Sequence, residues 1–394
     1  MGKRKLEINV LEAAKERIKY TFDNFERIYV SFSAGKDSTV MLHLVMEEAI
    51  KRKRNVGVLL VDLEAQYQHT IEHALNCFKL YKKYIIPFWV SLPLNLRNAV
   101  SVYEPFWKCW DTEKKKLWVR QPPKTAITDT KYFNFFKEGM EFEDFVPKFG
   151  EWFSRKKKTA CLVGIRTDES LNRYRAIESG FTTQISKHLH NVYPIYDWKV
   201  DDIWIYHNKT KKPHNKIYDL MYSAGCPLVD QRICQPYGDD QKKGLWLFHI
   251  LEPKTWEKLI LRVNGVNTGA LYIKEQGNIN GNNYITKPEQ HTWKSFSEHL
   301  INSMPVVTKK QYKEKISIFI NKWVDRCYIP DIPDEVYYNL ENLGKVPSYR
   351  RICKAVLKND FQLKTLGFSQ PKSKTYGDYL NIKYNGTYAN DKGH

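Results

Sequence analysis

Phosphate chemistry is suggested by one short segment, residues 31–38, which reads Ser-Phe-Ser-Ala-Gly-Lys-Asp-Ser. It lies where a buried strand is predicted to end and a helix to begin, so it offers free backbone N–H groups and the positive end of a helix dipole. A phosphate fits such a helix start, because Gly35 permits close approach, Lys36 adds charge, and the hydroxyls of Ser33 and Ser38 donate. The GxxxxGK[ST] pattern of a Walker A loop is missing. An ordinary helix cap with a chance Gly-Lys-Asp-Ser is the alternative.

The elements around this segment predict an α/β fold. Buried strands are expected at residues 27–32, 55–63, 84–90 and 159–165, with helices at 37–50 and near Thr70. Short apolar strands separated by helices indicate a parallel sheet with helices on both faces. Ligands of such sheets bind at the carboxyl ends of the strands, which is where the segment lies.

Segment 31–38 resembles the SGGKDS pyrophosphate loop of the PP-loop ATP pyrophosphatases, with Ala34 in place of the usual glycine. The resemblance implies a Rossmann-like (HUP-type) fold and a loop that holds the phosphates of ATP while a substrate oxygen is adenylated and pyrophosphate leaves. Asp62 and Glu64, which end the second strand, resemble the superfamily's D-x-E/G element and would lie beside the adenosine. A solvated strand end is the alternative for these two carboxylates.

Residues 164–170 (GIRTDES), followed by Arg173, are similar to the GIRxxES element of the phosphoadenosine phosphosulfate (PAPS) reductase branch. Arg166 stands at the end of the fourth strand, where its guanidinium can pair with a phosphate through two hydrogen bonds. A surface cluster of salt bridges is the alternative. The residues assigned to the nucleotide on this basis are Ser31, Ser33, Ala34, Gly35, Lys36, Asp37, Ser38, Asp62, Glu64, Gly164, Arg166 and Arg173.

The resemblance continues beyond the shared domain, from about Leu6 to Gly367. Residues 193–204 resemble the PI-x-x-W-x-x-x-D-I/V-W element of the same PAPS reductase branch. Blocks at residues 217–225, 231–238, 243–246, 263–272 and 347–354 look like those of the IbrA/YbdN-like group of PAPS-reductase-related proteins. Proteins of that group are named for a regulatory role alongside a ParB-like partner, so the resemblance does not establish a reaction.

Cysteine placement argues against two activities of this branch. The seven cysteines include no CxxC pair, and none follows Cys353. Reduction of PAPS needs a nucleophilic thiolate in a mobile C-terminal tail, so genuine sulfate reduction is not expected. Scattered cysteines also disfavour the iron–sulfur centre used by DNA phosphorothioation enzymes of the same branch.

The chain is predicted to divide into three parts. Residues 1–210 form the nucleotide-binding α/β domain, with an aromatic-rich insertion at about 95–155. Residues 211–370 form a mainly helical C-terminal domain, and residues 371–394 form a flexible tail. Apolar runs are too short for a membrane helix and the start lacks the apolar region of a secretory signal, so a cytoplasmic protein is expected.

A net charge of +19 implies an anionic partner or substrate. The basic runs are dispersed along the chain, and no helix-turn-helix, zinc-finger or RNP signature accompanies them. Nucleic acid, or a partner bound to nucleic acid, is one expectation from this charge. The other is that the charge serves only solubility and the nucleotide site.

These features together predict an enzyme that binds ATP and cleaves it between the α and β phosphates to adenylate an unidentified acceptor. Lys36, Asp37 and Arg166 are the candidate catalytic residues. Asp37 is also the candidate contact for a Mg²⁺ ion that neutralises the triphosphate. The alternative is a regulatory or phage-defence component that senses the nucleotide and acts through a ParB-like partner and DNA.

Overall fold

A computed structural model describes residues 8–101, 103–169, 177, 180–239, 244–265 and 285–368 of the chain. The strands are β1 (Arg27–Ser31), β2 (Val56–Val61), β3 (Ile85–Val90), β4 (Asn95–Arg97), β5 (Phe106–Lys108), β6 (Thr159–Val163), β7 (Thr182–Gln184) and β8 (Leu189–Val192). The α-helices are α1 (Val10–Asn24), α2 (Lys36–Lys51), α3 (Gln68–Leu80), α4 (Phe142–Ser154), α5 (Val200–Thr210), α6 (Ile217–Ser223), α7 (Leu245–Leu251), α8 (Pro253–Arg262), α9 (Trp293–Asn302), α10 (Val306–Cys327), α11 (Tyr338–Asn342) and α12 (Tyr349–Leu357). Two compact units result, and each is described by itself.

A six-stranded sheet in the order β3–β2–β1–β6–β8–β7 carries the first unit. β1 pairs in parallel with both β2 and β6, so the segment after β1 is flanked by the carboxyl ends of two other strands. The edge strand β7 runs antiparallel to β8. The predicted α/β class and the four predicted strands are confirmed. β7 and β8 were not expected, because they have three and four residues and lack an apolar run.

Side chains of β1 alternate between two packing layers. Ile28 and Val30 belong to a core shared with α1, α2, α3 and α5. Tyr29 instead meets Phe149 and Phe153 of α4, with ring centroids 5.4 and 5.2 Å apart. Gly57 of β2 makes room for this second layer, since a Cβ there would lie 2.8 Å from the Phe153 ring. The predicted helices on both faces of the sheet are therefore present.

The long connection between β3 and β6 contains the aromatic-rich stretch that was expected as an insertion at about 95–155. Its last part is α4, in which Phe145, Phe149 and Phe153 are buried. Parallel strands need a crossover connection that covers the sheet, and α4 supplies it. Residues 96–108 of the predicted insertion group with the second unit.

The second unit takes in Leu96–Lys108 and the described residues from Cys234 onward. Tyr312, Ile352 and Cys353 are buried in a core to which α9, α10 and α12 contribute, so the predicted mainly helical C-terminal region is confirmed. The sequence interpretation placed the boundary at residue 210, whereas residues 211–233 group with the sheet. The predicted tail, 371–394, lies outside the described residues. Among the residues that are described, no helix has the length and apolar character needed to cross a membrane.

Candidate functional site

The loop between β1 and α2 turns at Ala34. This residue is buried and has a φ of +58°, in the left-handed region that favours glycine. Gly35 caps α2 with an extended backbone, and a Cβ there would lie 3.3 Å from both the Ser33 Oγ and the Tyr218 hydroxyl. The unusual backbone conformation thus falls on Ala34, while a side chain at Gly35 would crowd the Ser33 and Tyr218 hydroxyls. The predicted close approach of a phosphate to Gly35 remains a proposal.

Ser33 and Ser38 close this loop on itself. Their Oγ atoms are 3.0 Å apart, and the Ser38 Oγ also accepts from the Ser33 N–H at 3.3 Å. The Ser38 hydroxyl lies 3.2 Å from the Gly35 carbonyl, as a donor to it. Ser31 ends β1 and is paired with both neighbouring strands. The predicted serine residues therefore surround the start of α2 and fix the shape of the loop.

Lys36 is the first residue of α2 and is only 5% exposed. Its ammonium donates to the Gln231 carbonyl at 2.8 Å and lies 3.7 Å from Asp37 Oδ2. Its backbone N–H donates to the Tyr218 hydroxyl at 3.1 Å. Burial lowers the pKa of Lys36, and the Asp37 carboxylate opposes this effect. A buried positive group therefore stands at the helix start.

Arg166 joins this group from the end of β6, and its side chain is 4% exposed. Its Nε donates to Asp37 Oδ1, its Nη1 donates to Asp168 Oδ1 at 2.6 Å, and its Nη2 lies 3.5 Å from Glu169 Oε1. The structure thus brings Lys36, Asp37 and Arg166 together, although the guanidinium is shared among carboxylates. The alternative of a surface salt-bridge cluster does not describe a side chain so deeply buried.

Gly164 sets how closely the end of β6 approaches α2. A Cβ at this position would lie 3.0 Å from the Ser38 Cα and 3.1 Å from the Asp37 carbonyl carbon and oxygen. These are backbone atoms, so they cannot turn aside as a side chain could. Gly164 is therefore needed for the geometry of the site, whereas Arg173, the last predicted site residue, lies outside the described residues.

Asp62 and Glu64 are completely buried, so the alternative of a solvated strand end is wrong for both. Asp62 accepts from Trp89 Nε1 at 2.8 Å and forms an ion pair with Arg120. Glu64 has a φ of +67° and accepts from the Trp110 N–H at 2.7 Å. The two carboxylates therefore tie the inserted chain to the end of β2. Their predicted position beside an adenosine remains a proposal.

Four residues that hold these groups in place were not predicted: Arg120, Asn215, Tyr218 and Gln231. Asn215 Nδ2 donates to the Ala34 carbonyl at 3.1 Å. All four are distant in sequence from the groups they hold, so no local sequence pattern predicts these contacts. The resemblance of the blocks around Tyr218 and Gln231 to the IbrA/YbdN-like group was the only available signal.

A metal contact at Asp37 was also predicted. In the part of the chain that the structure describes, no group of three or more His, Cys, Asp or Glu side chains is arranged to hold a metal ion. Mg²⁺, however, is commonly bound by one or two carboxylates together with substrate phosphates and waters. Asp37 suits that role as a single ligand that Arg166 and Lys36 orient, so the contact remains a proposal.

Three buried histidines lie in or against α2: His43 within it, and His73 and His207 packed beside it. The His73 Nε2 lies 3.0 Å from the Thr39 hydroxyl, and the rings of His43 and His207 are 6.3 Å apart. Burial lowers the pKa of His43 and of His207 to about 4, and that of His73 to about 3. These histidines are therefore neutral in the folded protein at neutral pH.

We expect these histidines to make folding sensitive to acid. Above about pH 6.5 these histidines are neutral in both states and do not change the stability of the fold. Below that pH they become protonated in the unfolded state, but in the folded state they stay neutral until about pH 4 or lower, so stability falls. Each should lower the free energy of unfolding by about 1.4 kcal/mol per pH unit across that window. Urea unfolding of the wild type and of His207→Leu measures this, and the variant should show a shallower pH slope. Equal slopes would contradict the assignment.

Comparison with known proteins gives the family. A model of the phosphoadenosine phosphosulfate reductase domain matches residues 27–228, and one described as a domain of unknown function, DUF3440, matches residues 225–328 and 325–376. The chain is 42% identical over 386 residues to YbdN of Escherichia coli (strain K12), covering 95% of this chain and 94% of that protein. It is 21% identical over 248 residues to the adenosine 5'-phosphosulfate reductase of Halalkalibacterium halodurans, covering 61% of this chain and 91% of that protein.

Among solved structures, the PAPS reductase of Candida auris in a phosphate complex is 12% identical, with a TM-score of 0.32, and the match covers 60% of this chain and 99% of that chain. The family model alone spans more than half of the sequence, and the YbdN match spans nearly all of it. The predicted membership of the PP-loop superfamily and its PAPS reductase-like branch is thereby confirmed. This chain belongs to the phosphoadenosine phosphosulfate reductase domain family.

Proposed function

We propose that this protein binds ATP at the loop between β1 and α2 and cleaves it between the α and β phosphates, adenylating an acceptor. The observation that carries the proposal is the meeting of Lys36, Asp37 and Arg166 at the start of α2. A helix start that also holds a buried ammonium and a guanidinium favours a polyanion such as pyrophosphate.

Each of these residues has a role in the proposed reaction. An acceptor oxygen attacks the α-phosphorus, the bond to the bridging oxygen breaks, and pyrophosphate leaves with the electron pair. Lys36 and the helix start hold the departing phosphates, and Arg166 stabilises the charge that develops on them. Asp37 orients both cations. When bound, Mg²⁺ would neutralise the triphosphate, with Asp37 as one of its ligands.

Sulfate reduction is not part of this proposal. Cys353, the last cysteine of the chain, is buried in α12, and burial raises the pKa of its thiol to about 12. A thiol in that state does not supply the thiolate that attacks sulfur. Of the two exposed cysteines, Cys327 is the last residue of α10, and Cys234 lies in the segment between α6 and α7.

Release of pyrophosphate tests the proposal. We expect wild-type protein supplied with Mg-ATP and pooled small metabolites or RNA to release pyrophosphate well beyond one equivalent, and Arg166→Gln to slow this by about 10²–10³-fold. Arg52→Gln, at a surface ion pair, is the matched control. Pyrophosphate release that stops at one equivalent would favour a nucleotide sensor. Sulfite formed from PAPS with reduced thioredoxin would instead support PAPS reduction.

The second candidate is a nucleotide-sensing regulatory or defence component that acts with a ParB-like partner and DNA. The net charge of +19 is the observation that favours it. We expect weak binding of random duplex DNA, with log K falling by about 0.9 per contacted phosphate for each decade of salt. A fluorescence titration measures it. Absence of binding at micromolar protein in about 50 mM salt would remove nucleic acid as a partner.

A further inference from the structure

One stretch of chain, residues 215–231, covers the start of α2, and we refer to it as the covering segment. Its Asn215 side chain donates to the Ala34 carbonyl. Its Tyr218 hydroxyl accepts from the Lys36 N–H at 3.1 Å, and its Gln231 carbonyl accepts from the Lys36 ammonium at 2.8 Å. The covering segment therefore contacts both groups that Lys36 would offer to a phosphate, its backbone N–H and its ammonium.

The Tyr218 hydroxyl accepts from the first backbone N–H of α2. The first backbone N–H groups of a helix have no partner within the helix, and an anion at the helix start is normally what they bind. Here a neutral oxygen takes that place, 3.3 Å from where a Cβ on Gly35 would stand. The Tyr218 ring also lies against the Lys36 ammonium, 5.2 Å from its centroid. Tyr218 therefore makes contacts with Lys36 of the kind that a bound phosphate would make at this end of α2.

A second observation concerns Gln231. Its side chain is completely buried, and within the described part of the chain its Oε1 has no hydrogen-bond partner. A buried acceptor without a partner is uncommon and unfavourable. The covering segment therefore leaves one buried acceptor, Gln231 Oε1, without a hydrogen bond among the described residues. This is expected if a bound ligand or a second conformation of the segment supplies the missing donor.

We propose that Tyr218 is a positioning residue that competes with nucleotide phosphate for the Lys36 N–H, so that the nucleotide must displace the tyrosine hydroxyl to bind. The inference rests on the proposed function, and it adds that Tyr218 sets the affinity of the site. When only a fraction of the protein is competent to bind, the apparent dissociation constant is raised by that fraction. Removing the hydroxyl raises the competent fraction without changing the bound state.

Titration of Tyr218→Phe with pyrophosphate, which needs only the phosphate part of the site, tests this. We expect this variant to bind pyrophosphate and ATP about 3–10-fold more tightly than the wild type, the range of one neutral hydrogen bond. Its melting temperature should fall, because the free protein loses that bond. Tyr222→Phe is the matched control, since Tyr222 lies on the same helix and is 66% exposed. Adenosine, which lacks phosphate, should bind both proteins equally.

A merely structural tyrosine would lower stability and affinity together, so opposite signs of the two changes are the signature of competition. Equal or weaker pyrophosphate binding by Tyr218→Phe, with a wild type that does bind, would overturn the inference and leave the proposed function standing. If neither protein binds pyrophosphate or ATP, the proposed function and the inference both fail. Binding by Tyr218→Phe alone would support a wild type held closed by Tyr218.

Discussion

Replacing Lys36 and Ser38 together with alanine should weaken ATP binding by at least about tenfold. The Lys36 ammonium is a charged donor worth about 1.5–3 kcal/mol to a phosphate, and a neutral hydroxyl such as that of Ser38 adds about 1 kcal/mol. Both groups adjoin the start of α2, where the phosphates of the proposed ATP complex would lie. Isothermal titration calorimetry with ATP measures the effect directly.

Lys51→Ala is the matched control for this variant, because Lys51 is the last residue of the same helix and is exposed. It should bind ATP as the wild type does. Since Lys36 is buried, thermal unfolding of the double variant should be recorded alongside, so that lost binding is read only from folded protein. Unchanged ATP affinity in folded double variant would refute the phosphate-holding role of this loop.

Asp62→Asn should destabilise the protein by about 3–5 kcal/mol, the usual effect of breaking a buried ion pair from one side. Asp62 is fully buried and pairs with Arg120, so the asparagine leaves a buried guanidinium without its counter-charge. Urea unfolding measures the loss. Adding Arg120→Met to Asp62→Asn should recover part of it, because an apolar side chain replaces the stranded charge.

Asp23→Asn is the control for Asp62→Asn. Asp23 also pairs with an arginine, Arg52, but its side chain is 48% exposed. Solvent screens such a pair, so the loss should be far smaller than that of Asp62→Asn. Should Asp62→Asn prove equally mild, the inserted chain would not depend on this carboxylate for its attachment.

The loop between β1 and α2, and Arg166 beside it, could be predicted because strand ends and helix starts fix where they lie. A strand that ends at Ser31 and a helix that begins at Lys36 place the intervening residues at a helix start, whatever the rest of the chain does. Arg166 follows from the same logic, since the carboxyl ends of parallel neighbours β1 and β6 share one edge. The positions of the loop and of Arg166 therefore follow from the order and direction of the strands alone.

The remaining parts of the site depend on tertiary partners that no spacing reveals. Asp62 and Glu64 were correctly placed at the end of β2, yet their burial depends on Trp110 and Arg120 folding back over them. Tyr218 comes from a helix of only seven residues, far along the chain. Such contacts are set by how loops cover a sheet, which composition and periodicity do not encode.

Glu64 holds both ends of the turn between Trp110 and Val119. Glu64 accepts from the amide of Trp110 through one carboxylate oxygen and from the amide of Val119 through the other. Both ends of the intervening turn are therefore fastened to the edge of β2. Their amide hydrogens can exchange with solvent only when these hydrogen bonds open, so we expect both amides to be protected in the folded protein. A protease that cut the exposed turn at residues 112–117 would leave both new ends held in place.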